Sequence, residues 1–162
     1  MNFESFYSIW YWIMLTTVWT VVCYHTLGVS YGMILRAQRS PEVAAELDSV
    51  ALMISFRLGW IRRRLGVPLA AIAGFGLAAL AVIGFAAKIE FAQALFLLLF
   101  PLSLVATATL ALSRDIVEKK PQGEVLRAML SRRRRWNQVI AVVTLLATTA
   151  AALINDPRFI PI

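Results

Sequence analysis

Few side chains of this 162-residue chain are suited to catalysis or metal binding. There is a single cysteine, Cys23, and a single histidine, His25, so the chain cannot supply a cluster of thiolates or imidazoles. We interpret His25 as a hydrogen-bonded structural residue, with a role as a cofactor ligand as the alternative. No paired carboxylates, nucleophile–base pair or phosphate-binding glycine loop can be assembled. We therefore expect a protein that is not an enzyme and that carries no cofactor or metal.

The arginines are the other candidate binding residues, because they occur in two runs, Arg62–Arg64 and Arg132–Arg135. In a soluble protein such runs would indicate a site for phosphate or nucleic acid. The composition argues against that interpretation: 60% of the residues are hydrophobic and 15% are charged. Soluble domains are roughly 45–50% apolar and about 25% charged. The sequence therefore predicts a membrane protein, and we expect no nucleic-acid partner.

Four stretches of the chain lack charged residues and are long enough to cross a bilayer, namely residues 9–29, 66–87, 91–112 and 136–154. About 20 apolar residues in a helix span the roughly 30 Å of hydrocarbon. The pattern predicts an all-α integral membrane protein, with four transmembrane helices in a single domain over residues 1–162. The connection between the second and third stretches is very short, so these two helices should be antiparallel neighbours.

The basic residues are distributed very unevenly between the connections. The segment between the first two stretches holds six and residues 113–135 hold eight, which is fourteen of the sixteen Lys and Arg residues. Loops rich in Lys and Arg stay on the cytoplasmic side of a membrane. The sequence therefore predicts that both long connections are cytoplasmic and that both termini lie on the outer face.

The two arginine runs stand at the cytoplasmic entrances of the second and fourth stretches. An arginine costs about 2.5–3.5 kcal/mol at the bilayer centre, whereas near the headgroups it is attracted to anionic lipid. We interpret the two runs as topology signals that contact lipid headgroups: Arg62, Arg63, Arg64, Arg132, Arg133, Arg134 and Arg135. On this interpretation lysines should replace the last four equally well. The alternative is a specific site for an anionic partner.

Residues 41–65 are predicted to form an amphipathic helix. Ser40 is a plausible N-cap and Pro41 suits the first helical position. Apolar residues then recur at helical spacing and share one face: Val43, Leu47, Val50, Ile54, Leu58, Ile61 and Leu65. We expect this helix to lie along the membrane surface or on a partner, and to lead directly into the second span. Residues 113–135 are predicted to be a polar cytoplasmic loop, too short for a folded domain.

Two features inside the predicted spans concern helix packing. Ala70, Gly74 and Ala78 lie four residues apart, a pattern of small residues that lets another helix approach closely. Packing within the chain and a seam between two copies both remain open. Pro101 stands near the middle of the third span, where a proline removes a backbone donor and predicts a kink.

Three sequence stretches resemble a known family: "SIWYWIMLTTVW" and "LGVSYGMILRAQR" within residues 8–39, and "FAQALFLLLFPLSLVATATLALSR" at residues 91–114. They are similar to small multi-span membrane proteins of alphaproteobacteria of the Rhodobacter and Roseobacter type, often labelled a component of the SufBCD complex. The resemblance covers most of the chain and brings no catalytic motif. It implies the inner membrane of such a bacterium and, from the label, a membrane attachment point for iron–sulfur assembly.

These observations lead to two functional hypotheses. The first is a non-catalytic accessory, anchoring or assembly subunit of a larger inner-membrane complex, with respiratory or photosynthetic complexes as the first candidates. Its partners would be anionic lipids and other membrane subunits or a second copy of the chain. The second hypothesis is a small oligomeric channel or transporter subunit, suggested by Pro101 and by the polar residues of the third and fourth spans.

Overall fold

The computed structural model describes residues 9–154, and nearly all of them are helical. The elements in chain order are α1 (Ile9–Tyr24), β1 (His25–Thr26), β2 (Val29–Ser30), α2 (Tyr31–Arg36), α3 (Pro41–Ala81), a π-helical turn (Val82–Ala86), α4 (Glu90–Lys119) and α5 (Gly123–Ile154). Residues 1–8 and 155–162 lie outside the described part. The prediction that both termini lie on the outer face concerns these residues.

Within residues 9–154, three helices are long and apolar enough to cross a membrane: Pro41–Ala86, Glu90–Lys119 and Gly123–Ile154. They contain 46, 30 and 32 residues. At 1.5 Å per residue they measure about 69, 45 and 48 Å, which is more than the roughly 30 Å of a hydrocarbon core. The predicted class, a helical membrane-type protein, is confirmed to this extent. A helix of this length that crosses a membrane along the bilayer normal leaves a segment outside the hydrocarbon.

Helix α1 is shorter than predicted. It has 16 residues, about 24 Å, and ends at Tyr24 instead of continuing to residue 29. Beyond it the chain reverses through Leu27 and Gly28, whose φ angles are +55° and +75°. Two successive residues with positive φ form the tight turn of a two-residue hairpin, and a right-handed helix cannot continue through them. Accordingly His25 pairs with Ser30, and Thr26 with Val29.

The predicted surface helix 41–65 and the predicted span 66–87 form one continuous helix as far as Ala81. The expectation that the first part leads directly into the second is therefore confirmed. The expectation that residues 41–65 lie along the membrane surface is not supported. No break separates the two parts. Residues 41–58 pack against the last turns of α4 and the first turns of α5.

The leftover segments of the long helices meet in a core of their own, here called the basic-end core. It joins the hairpin, α2, the first part of α3, the end of α4 and the start of α5, through Leu27, Val29, Ile34, Ala37, Leu47, Ala51, Ile116, Leu126 and Leu130. The predicted apolar face of residues 41–65 contributes to this core as far as Leu58, whereas Ile61 and Leu65 are exposed. Residues 113–135, predicted to be a loop, are therefore mostly helical and form part of a compact unit.

A second cluster, the apolar-segment core, joins α1, α4 and α5. Its buried members are Tyr11, Leu15, Trp19, Ala94, Leu98, Val105 and Ala141. The hydroxyl of Tyr11 donates a hydrogen bond to the carbonyl of Ala94, 3.2 Å away. Tyr11 and Ala94 both lie near the starts of their helices, so α1 and α4 run in the same direction.

Helices α3 and α4 form the predicted tight antiparallel hairpin. At its closed end a Cβ atom built on Gly84 would lie 2.9 Å from the backbone nitrogen of Gln93. The side chain of Gln93 donates to the carbonyl of Gly84 at 2.8 Å. This contact satisfies a carbonyl at the π-helical turn, where the regular helical hydrogen-bond pattern is interrupted.

Candidate functional site

The candidate site lies where the end of α1 meets the arginine run of α5. Four consecutive arginines on a helix cannot share one direction, because successive residues are turned by about 100°. Arg132 and Arg135 are exposed, while Arg133 and Arg134 are half-buried. Contact of this run with lipid headgroups remains a prediction. The guanidinium groups of Arg132 and Arg135 are exposed, whereas those of Arg133 and Arg134 also contact protein atoms.

Arg134 bridges α5, α1 and α2. Its Nε donates to the carbonyl of Cys23 at 3.1 Å. Its Cζ lies 3.5 Å from the centroid of the Tyr31 ring, a stacked cation–π contact. The last carbonyls of a helix have no amide partner within the helix. Arg134 satisfies one of these carbonyls at the end of α1 and brings a positive charge to the negative end of that helix dipole.

Arg133 binds α4 instead. Its Nη2 donates to the carbonyl of Val105 at 3.0 Å, and this carbonyl also accepts from the hydroxyl of Thr109 at 2.7 Å. The Nε of Arg133 is buried and has no acceptor among residues 9–154. A guanidinium held in this way joins α5 to the middle of α4. Its charge is countered by backbone dipoles, and no carboxylate of the described part forms a salt bridge with it.

A polar stripe continues from Arg133 along the buried face of α5. Asn137, Thr144 and Thr148 follow at helical spacing, and all three are at most 3% exposed. The hydroxyl of Thr144 donates to the carbonyl of Ile140 on its own helix. The Oδ1 of Asn137 has no donor within the described residues. Polar side chains between apolar helices are costly unless they are paired, so this stripe is a candidate functional feature of the bundle interior.

A groove of about 400 Å³ lies beside this stripe, between α1 and α5. It is lined by Thr16, Trp19, Thr20, Cys23, Tyr24, Arg134, Ala141 and Leu145. The hydroxyls of Thr16 and Thr20 donate to carbonyls of their own helix, those of Trp12 and Thr16. With these hydroxyls occupied, the groove wall is apolar along most of its length, and it has one cation, Arg134, at one end.

Cys23 and His25 stand near this groove but form no paired site. The thiol of Cys23 is half-buried and free. The Nδ1 of His25 lies 3.3 Å from the carbonyl of Val21, and the imidazole meets the Tyr24 ring edge-on. This agrees with the interpretation of His25 as hydrogen-bonded structure. Within residues 9–154 no three His, Cys, Asp or Glu side chains come together in a metal-binding arrangement.

The first arginine run behaves differently from the second. Arg62, Arg63 and Arg64 are all exposed on α3. The guanidinium of Arg64 lies 5.1 Å from the centre of the Trp60 ring on the same helix. These three arginines are free to contact lipid headgroups as predicted, and that contact remains a prediction.

The predicted packing residues Ala70, Gly74 and Ala78 are all exposed. No described atom would lie within 4 Å of a Cβ atom placed on Gly74. Packing of this face within the chain is therefore not formed by residues 9–154, whereas the backbone of α4 lies close to Gly84 in the π-helical turn. Pro101 lies inside α4, which runs without interruption from Glu90 to Lys119. The predicted kink at Pro101 remains a prediction.

Sequence analysis missed three residues that matter here, Asn137, Gln93 and Asp48. The Asp48 carboxylate accepts from the backbone N–H of Gly123, with Oδ1 and Oδ2 at 3.1 and 2.9 Å, and so caps the first turn of α5. For Asn137 a signal existed, because an amide side chain inside a predicted span is costly unless it faces other helices. For Gln93 and Asp48 the partners are distant backbone groups, which sequence patterns do not reveal.

Comparison of the chain with models of protein families, with curated proteins and with solved structures gives no match. The function is therefore inferred from the sequence and the structure of this chain alone.

Proposed function

We propose that this protein is a non-catalytic accessory, anchoring or assembly subunit of a larger complex in the inner membrane of a bacterium. The observation that carries the proposal is the isolation of the apolar part of α3. Val67, Ile72 and Phe75 are 84%, 70% and 79% exposed. The most apolar 18-residue window of Pro41–Ala86 is only 6% buried, compared with 22% for that of Gly123–Ile154.

Exposure to lipid would account for the large apolar side chains on this helix. It does not account for Ala70, Gly74 and Ala78, which form a shallow strip on one side. Helices in membranes associate by close backbone approach, and small residues allow it. A helix that leaves such a strip uncovered within its own chain is suited to receive a helix of another subunit.

The proposed topology has four spans, with α1 as the first. Its exterior is apolar, with Ile9, Ile13 and Val21 between 48% and 68% exposed. A helix of about 24 Å is short for the roughly 30 Å hydrocarbon, and such a mismatch is met by local thinning of the bilayer or by oligomerisation. In the proposed topology the basic-end core lies in the cytoplasm and both termini lie in the periplasm, because segments rich in Lys and Arg stay on the cytoplasmic side.

The basic-end core supports the anchoring role. It would stand in the cytoplasm as a compact helical unit held to the membrane by four spans. Attachment of soluble machinery, including the iron–sulfur assembly implied by the resemblance, would use this unit. Respiratory and photosynthetic complexes are the candidates for the membrane partners.

The alternative is an oligomeric channel or transporter subunit. The polar stripe of α5 is the observation in its favour, because Asn137, Thr144 and Thr148 could line a hydrated path. Within one chain, however, these residues are sealed by α1 and α4. A hydrated path would therefore require the helices to separate. The accessory role requires no such change, because the α3 face that would contact another subunit is already exposed.

The test is gentle extraction of the tagged protein from its native membrane, followed by measurement of its size and of the polypeptides bound in fixed ratio. Gly74→Ile should release the bound subunit, because the new side chain fills the strip. Ala73→Ile adds the same bulk to an exposed position on another face of α3 and should retain the bound subunit. Migration of all three proteins as the same single chain would contradict the proposal.

A further inference from the structure

We infer that the groove between α1 and α5 is a binding site for one anionic phospholipid, with the phosphate at Arg134 and an acyl chain along the groove. This site is independent of the proposed role as a subunit. Its evidence is the combination of one cation with a long apolar wall.

The guanidinium of Arg134 is oriented for a ligand. Its Nε is used on the carbonyl of Cys23, and its face is stacked on Tyr31. Among the described residues, no acceptor binds its terminal N–H groups. These N–H groups form a fork whose geometry matches phosphate oxygens. Because the stacking and the Nε bond hold the fork in place, little conformational freedom is lost when an anion binds.

The rest of the groove fits a hydrocarbon chain. Its lining extends from Thr16 to Tyr24 on α1 and from Arg134 to Leu145 on α5. These stretches measure about 12 and 16 Å at 1.5 Å per residue. Trp19, Ala141 and Leu145 supply apolar surface, and the threonine hydroxyls are occupied by backbone carbonyls. An acyl chain in this groove would therefore not deprive the two threonine hydroxyls of a partner, and the buried indole N–H of Trp19 has no acceptor among the described residues.

The single cation at one end of the groove favours an anionic lipid as the occupant, because a phosphate and an acyl chain match the charged end and the apolar wall. The position of the charge also fits, because Arg134 precedes the predicted fourth span and lies at the depth where headgroups are expected. Anionic lipids are attracted to arginines at this depth.

The experiment is native mass spectrometry of the purified protein in detergent, titrated with phosphatidylglycerol or phosphatidylcholine of identical acyl chains. The wild type should retain one phosphatidylglycerol with about tenfold higher apparent affinity than phosphatidylcholine. Inorganic phosphate alone should neither bind nor compete, because it lacks the acyl chain. Equal retention of the two lipids, or full competition by phosphate, would overturn the inference.

Three variants locate the site. Arg134→Gln should abolish the preference for phosphatidylglycerol, while Arg132→Gln, an equal loss of charge at an exposed arginine, should keep it. Since Arg134 also supports the fold, Thr20→Trp provides an independent test: it fills the groove and leaves Arg134 in place. Thr20→Trp should reduce phosphatidylglycerol retention about tenfold. Unchanged retention in Thr20→Trp, or equal losses in the two arginine variants, would show that no such site exists.

Discussion

Arg134 and Tyr31 form a stacked pair, with the guanidinium carbon 3.5 Å from the ring centroid. The pair joins the arginine run of α5 to α2, which follows α1 and the hairpin. The distribution of basic residues predicts that Arg134 lies at the membrane edge. In the structure it also connects three helical elements of the same chain. A stacked pair of this kind depends on the planar shape of the guanidinium as well as on its charge.

Replacement of Arg134 by lysine should therefore destabilise the protein, contrary to the expectation that lysines replace the run equally well. The ammonium keeps the charge but loses the stacked face and the Nε donor. We expect a loss of about 1–2 kcal/mol in the free energy of unfolding. Arg132→Lys, at an exposed arginine, should change it by less than about 0.5 kcal/mol. Thermal denaturation in detergent compares the two variants, and equal midpoints would contradict the structural role.

Gly84 and Gly76 provide a matched test of the α3–α4 hairpin. A Cβ atom on Gly84 would lie 2.9 Å from the Gln93 nitrogen and 3.1 Å from the Ala92 carbonyl carbon. Gly84→Ala should therefore destabilise the hairpin by about 1–3 kcal/mol, the usual range for overpacking. Gly76 has nothing within 4 Å of its Cβ position. Gly76→Ala should be neutral or stabilising by up to about 1 kcal/mol, because alanine favours helix. The opposite order of stabilities would refute this packing.

The contact between Asp48 and Gly123 predicts a capping effect across the basic-end core. Asp48→Ala removes the acceptor from the first turn of α5 and should cost about 0.5–2 kcal/mol, as the loss of a helix N-cap does. Asp48→Asn retains an acceptor oxygen and should cost less. Glu46→Ala, an exposed acid two residues earlier without such a partner in the described part, serves as the control. Hydrogen exchange at the start of α5 should increase only when Asp48 is changed.

The basic-end core should respond strongly to the loss of a buried leucine. Leu47 is fully buried in it, whereas Leu65 on the same predicted face is 47% exposed. Leu47→Ala should cost about 2–5 kcal/mol, the range for a truncated core leucine. Leu65→Ala should cost far less. Protease sensitivity of residues 41–58 reports the difference, and equal sensitivity of the two variants would show that the basic-end core does not hold these residues.

Much of this architecture follows from apolar runs and charge positions. The long uncharged stretches correspond to α3, α4 and α5, and the short connection near Lys88 correctly predicts the antiparallel hairpin. The end of α1 was missed because Leu27 and Gly28 were counted as apolar residues of a span. Gly28 suits a position with positive φ, but Leu27 is not a residue type that such a turn favours, so the pair gives no clear hairpin signal in the sequence.

The basic-end core and the inward arginines could not be predicted from local patterns. The residues of this core are spread from Leu27 to Leu130, and a helical repeat within one segment does not show which segments pack together. The number of positive charges predicts one common role for Arg132 to Arg135, because it carries no information on where each side chain points. The side-chain directions depend on the positions of α1 and α4 beside α5.

The four-span topology is tested most directly by cysteine labelling from outside intact cells, in a Cys23→Ser background. Asn2→Cys, Ile89→Cys and Ile160→Cys should react with a membrane-impermeant reagent. Gln38→Cys and Gln122→Cys, at exposed positions of the basic end, should react only after the membrane is opened. The first variant decides whether the short helix α1 crosses the membrane. Protection of Asn2→Cys in intact cells, or labelling of Gln122→Cys there, would contradict the four-span topology with both termini outside.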